Sequence, residues 1–107
     1  MSPLRALGVL NREGMKSFNS GRNDDALFQL IQAERLARTI GSPLHEAKVR
    51  NNIGLVYQGA GSPMEALTSF RLAAEQAVRG AGEDTQLHKV IVRNLVNLET
   101  TLRAEAV

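Results

Sequence analysis

The stretch Asn51-Asn52-Ile53-Gly54-Leu55-Val56-Tyr57 decides how the rest of this chain reads. It does not alternate apolar and polar residues as a half-buried strand would. Gly54 sits among larger side chains, where a small residue lets a second helix approach closely while Ile53 and Tyr57 fill the space beside it. Just before it, Ser42-Pro43 is a helix start: the serine accepts a bond from an orphan amide, and proline at the first helical position gives up no bond. Just after it, Gly61 is suited to the left-handed turn that ends a helix. The stretch therefore reads as the body of a helix over 43–60.

Outward from there, the same punctuation recurs. Ser2-Pro3 and Ser62-Pro63 are further starts, the latter with Glu65 where a capping box wants it. Gly21, Gly41 and Gly80 are further stops. Asn23 is the expected cap of a helix with Asp24 and Asp25 in its first turn and Arg35 and Arg38 towards its end, matching the helix dipole. A last start falls at Asp84 or Thr85. These signals predict helices over 3–20, 24–40, 43–60, 63–79 and 85–104. Joined by connections of a few residues, consecutive helices should be antiparallel neighbours. The fold class expected is all-α.

Gly14, Gly21, Ala26, Leu27 and Ala33 recur as Gly54, Gly61, Ala66, Leu67 and Ala73, each 40 residues later. A fixed period in this range signals helix pairs that bury their faces against one another. Ile53-Gly54, Tyr57, Ala66 and Phe70 follow a leucine-glycine, aromatic, alanine, aromatic pattern, and in this the chain resembles the tetratricopeptide repeat family, in a long-helix form. The first copy keeps Gly14, Gly21, Ala26 and Ala33 but places Glu13, Ser17 and Leu30 in slots that usually hold large apolar groups. The family's initial tryptophan slot holds Leu10 in one copy and Arg50 in the other. The resemblance implies one domain over 1–107: antiparallel pairs over 3–40 and 43–79, stacked as a right-handed superhelix, with 85–104 as a capping helix.

Composition narrows the function classes. The chain has 107 residues, is 43% hydrophobic and 22% charged, and carries a net charge of +2, which is ordinary globular usage. With no cysteine there is no disulfide framework, thiol catalysis or cysteine-ligated metal. No apolar run approaches a membrane span. A cytoplasmic protein with no membrane partner is the expectation. Small charge and few aromatics free to stack also argue against nucleic acid. His45-Glu46 opens like a metalloprotease motif, but Val49 stands where the second ligand belongs. Gly59-Ala60-Gly61 and Gly80-Ala81-Gly82 end helices and follow no strand, so they are not phosphate loops. No catalytic constellation shares a face, and neither enzyme activity nor a cofactor is expected.

What remains is a binding surface. In tetratricopeptide superhelices the first helix of each pair lines the concave side. Carried onto this sequence, that implies Asn11, Arg12, Met15 and Asn19 from the first helix. The third supplies Lys48, Asn51, Asn52, Leu55 and Gln58, and the fifth Arg93, Asn94, Asn97 and Thr101. Asparagine costs about 0.6 kcal/mol relative to alanine in a helix, so its abundance on one surface suggests use. Its amide offers both donors and acceptors, suited to the backbone of an extended peptide. Arg12, Lys48 and Arg93 would favour an acidic ligand. The fifth helix is expected to set Ile91, Val92, Leu95 and Val96 against the preceding pair, leaving Leu98 and Leu102 open. That face suggests the alternative of an assembly subunit that forms a homodimer or docks a partner there.

Overall fold

A computed structural model describes residues 1–106 as five helices: α1 (Pro3–Asn19), α2 (Asn23–Ile40), α3 (Pro43–Gly59), α4 (Pro63–Ala81) and α5 (Gln86–Glu105). There is no strand among the described residues. Local chemistry accounts for most of the boundaries. Ser2 Oγ accepts from the Arg5 amide at 3.2 Å and Ser42 Oγ from the His45 amide at 3.4 Å. Thr85, rather than Asp84, caps α5, its Oγ1 accepting from the His88 amide at 3.0 Å.

Two expected caps are not formed. Ser62 makes no side-chain cap bond and only its carbonyl takes the Ala66 amide, so the capping box with Glu65 is absent. Asn23 is already helical, and the residue ahead of α2 is Arg22, also without a side-chain cap bond. The chain leaves α1 through Gly21 with the Arg22 amide bonded back to the Ser17 carbonyl, which spends the residue before Asn23 on closing α1.

The fourth helix also ends later than expected. It runs through Gly80 to Ala81, and the turn is taken by Gly82 at φ 77°. Gly80 is glycine for contact: a Cβ there would lie 2.7 Å from Leu44 Cγ, so the end of α4 approaches the start of α3 too closely for any side chain.

Packing is sequential. α1 packs on α2 and α3 on α4, α2 packs on α3, and α5 rests on α4. Inside each of the first two contacts a glycine of the earlier helix meets a large side chain of the later one. A Cβ on Gly14 would lie 2.6 Å from Leu30 Cγ, and one on Gly54 2.5 Å from Phe70 Cε1. Leu30 and Phe70 are fully buried, beside the small residues Ala26, Ala33 and Ala37 in one case and Ala66, Ala73 and Ala77 in the other. Leu30 thus fills the slot that held a larger aromatic in the second copy. Ser17, the polar residue in another apolar slot, is buried against Gln29 at 2.8 Å. The amide orientation that satisfies its surroundings has Gln29 Nε2 donating to Ser17 Oγ and to the carbonyls of Glu13 and Asp25. A polar position inside the pair is in this way made good locally.

The last helix corrects the sequence expectation. Leu98 is buried at 3% exposure, and with Leu95 and Leu102 it packs on Ala66, Leu67 and Phe70. Ile91 and Leu87 pack on Ala47, Ala73 and Ala77. The residue left out is Val96, 47% exposed. The open leucine face that suggested self-association is therefore turned inward. Of the four residues expected to face the preceding pair, Ile91 and Leu95 do so, and Leu98 and Leu102 continue their stripe at intervals of three or four residues.

Candidate functional site: the face of α1, α3 and α5

The asparagines expected to meet a ligand mostly meet one another. Asn52 Nδ2 donates to Asn11 Oδ1 at 2.9 Å, and Asn94 Nδ2 donates to Asn51 Oδ1 at 3.0 Å. The first bond joins α3 to α1 and the second joins α5 to α3. Asn11 and Asn51 are 40 residues apart, so the two bonds are the same bond repeated, and Asn94 plays on α5 the part of Asn52 on α3. In that register Ile91 matches Val49 and Leu98 matches Val56, all four buried. Val96 then matches Gly54, which explains its exposure: among the described residues no helix packs against α5 as α4 packs against α3.

Asn51 is 7% exposed, which removes it from any groove surface, while Asn11, Asn52 and Asn94 are half-buried. Met15 and Leu55 are half-buried too, Met15 on the Leu30 cluster and Leu55 on the Phe70 cluster. Arg12, Asn19, Lys48, Gln58, Arg93, Asn97 and Thr101 are exposed. Arg12, Lys48 and Arg93, one cation on each of the three helices, form no salt bridge among the described residues.

The asparagine bonds predict an energetic coupling. Asn51→Ala strips a partner from Asn94, and the lost hydrogen bond is worth about 0.5–1.5 kcal/mol net, set against a helix-propensity gain of about 0.6 kcal/mol. A double-mutant cycle on Asn51→Ala and Asn94→Ala by urea unfolding should return a coupling of about 1 kcal/mol. Additive effects would mean that the two amides do not hold α3 and α5 together.

A polar cluster that the sequence reading did not assemble lies where α2 meets α3. Arg50 NH2 reaches Glu34 Oε1 and Glu46 Oε1, both at 2.9 Å, and Arg38 Nε reaches Glu34 at 2.7 Å. Glu34 and Glu46 are 8% and 7% exposed. The signal was present in part, since Arg50 occupied an aromatic slot one turn after Glu46. Glu34, sixteen residues earlier, could be placed only by the packing. The two acids and two bases satisfy one another, so this cluster clasps α2 to α3.

Near the start of α1 and α3, Leu4, Leu7, Gly8 and Val49 together with Asn11, Arg12, His45 and Lys48 enclose a cleft of about 270 Å³. Among the described residues no group of three or more His, Cys, Asp or Glu side chains is placed to hold a metal ion. No helix there is long and apolar enough to cross a membrane.

No family model, curated protein or solved structure matches the chain. Amide bonds join α1 to α3 and α3 to α5, and Arg12, Lys48 and Arg93 are among the cations that form no salt bridge among the described residues.

Proposed function

We propose that the chain is a non-catalytic scaffold of tetratricopeptide type. Two antiparallel pairs and a capping helix stack as a right-handed superhelix, and its α1–α3–α5 face binds an extended, acidic peptide or protein segment. Support for the stacking comes from the 40-residue period returning in the packing, with Gly14 against Leu30 and Gly54 against Phe70, and from the repeated asparagine bond. One observation carries the ligand class. Glu34, Glu46, Arg38 and Arg50 satisfy one another within the protein, whereas Arg12, Lys48 and Arg93, one each on α1, α3 and α5, are exposed and form no salt bridge among the described residues. The asparagines serve as the frame, and the cations with Gln58 and Asn97 as the contacts.

The test is fluorescence anisotropy with glutamate-rich and lysine-rich peptides of equal length. The acidic peptide should bind, and binding should weaken as salt screens exposed charge. Each reversal, Arg12→Glu, Lys48→Glu or Arg93→Glu, should cost about 1 kcal/mol, roughly fivefold in Kd, and the triple variant about a hundredfold. Equal affinity for both peptides, or a triple variant that binds as tightly as the parent, overturns the reading. A second reading, an assembly subunit whose partner docks on α5, draws on the exposure of Val96 where the equivalent α3 position is the helix-facing Gly54.

A further inference from the structure

Phe28 is 69% exposed, and among the described residues it is the one exposed aromatic: Phe70 is buried and Phe18 and Tyr57 are half-buried. On α2 it shares a stripe with Asp24, one turn before it, and Arg35, two turns after it, and all three are exposed. The repeat does not ask for this stripe. Forty residues on, the matching positions of α4 are Met64, Thr68 and Glu75, exposed as well. A ring held in water where the second copy has a threonine is apolar surface that packing within the chain leaves unused.

The charges at the two ends of the stripe say what covers it. Asp24 and Arg35 form no salt bridge among the described residues. They stand 11 residues apart, about 16 Å along one helix, too far to meet each other. An antiparallel copy of α2 brings both into reach. With Asp24 of one helix opposite Arg35 of the other, the reverse pair is matched too, as a two-fold interface requires. The axis then passes between residues 29 and 30, and the two Phe28 side chains lie about 4.5 Å apart along the helix direction, each opposite the half-buried Ile31 of the other copy. Aromatic rings hold the centre and ion pairs close the rim, the arrangement that makes small interfaces specific. A parallel pairing would set Asp24 on Asp24 and Arg35 on Arg35, so the charges reject it.

We propose that two copies of this chain associate through α2, antiparallel about a two-fold axis, with Phe28 against Phe28 and Ile31 of the other copy and Asp24 paired with Arg35 in both directions. None of these residues belongs to the α1–α3–α5 face, so this proposal and the acidic-peptide reading fail separately. One helix pair buries less than the about 1,200 Å² at the lower edge of a standard interface. The association is therefore weak, with Kd of roughly 10–100 μM.

Sedimentation equilibrium of the full chain between about 5 and 500 μM should show monomer and dimer in exchange. Phe28→Ser should remain monomeric throughout, and its melting temperature at the lowest concentration should match the parent's, because the ring is exposed in the single chain. Asp24→Arg and Arg35→Asp each set like charges opposite one another and should weaken dimerisation about tenfold. Mixing the two variants in equal amounts restores both ion pairs in the mixed dimer, which should form as tightly as the parent dimer. A ring that was merely sticky would show no such rescue. Val96→Ser, on α5, should leave the association unchanged. A chain still monomeric at the highest concentration, a dimer that survives Phe28→Ser or is broken by Val96→Ser, or a mixture without rescue overturns the proposal.

Discussion

Gly54→Leu is expected to lower the melting temperature by on the order of 15 °C, the counterpart of about 3 kcal/mol in a domain of this size. A Cβ alone at this position would lie 2.5 Å from Phe70 Cε1 and 2.6 Å from Phe70 Cδ1. The ring cannot swing away, because Phe70 is fully buried and packed with Ala66, Leu67 and Leu98. The leucine must push α4 off α3, and α5 rests on α4, so the strain passes to the last helix as well. Cooperative unfolding should survive, since each pair depends on its neighbour for burial. Thermal circular dichroism checks the result. A melting temperature within a degree or two of the parent would mean that α3 and α4 do not cross at Gly54.

The second large effect belongs to Arg50→Met. Among the described residues the guanidinium is the only cation that touches both Glu34 and Glu46, through NH2 at 2.9 Å to each and Nε at 3.0 Å to Glu46. Its removal leaves the Glu46 carboxylate with no salt-bridge partner among the described residues, and Glu34 with Arg38. Breaking a buried pair from one side costs about 3–5 kcal/mol. Arg50 is partly exposed, with 19% of its side chain open, so about 2–4 kcal/mol is the expectation here. Adding Glu34→Gln and Glu46→Gln to Arg50→Met should recover most of the loss, because neutral amides replace stranded charges. Denaturant unfolding of the single and triple variants decides it. A single variant within about 0.5 kcal/mol of the parent, the range of an exposed pair, would reduce the cluster to surface decoration.

These effects divide along a line that also divides what could be read in advance. The all-α class, and helix starts at Pro3, Pro43 and Pro63, were legible because capping, proline geometry and propensity act within a few residues. The glycine and alanine positions facing another helix were legible through their 40-residue recurrence. Two local signals failed: Ser62 did not cap with its side chain, and Gly80 was needed against Leu44 rather than as a stop.

Within the candidate face, Asn11, Asn51, Asn52 and Asn94 bond to one another, which no local signal announces. The sequence placed polar residues on α1, α3 and α5, but it could not show that Asn52 reaches Asn11 and Asn94 reaches Asn51 across gaps of 41 and 43 residues. It likewise could not turn Leu98 inward and Val96 outward, or bring Glu34 to Arg50. By itself the sequence determined which segments are helices and which of their faces are small enough to pack. The tertiary structure alone decided which amides and charges are spent inside the protein and which remain on its surface. The reason is physical: helix formation is settled by neighbours within four or five residues, whereas a hydrogen bond between helices depends on their rotation and separation to a fraction of an ångström, which only the packed core sets.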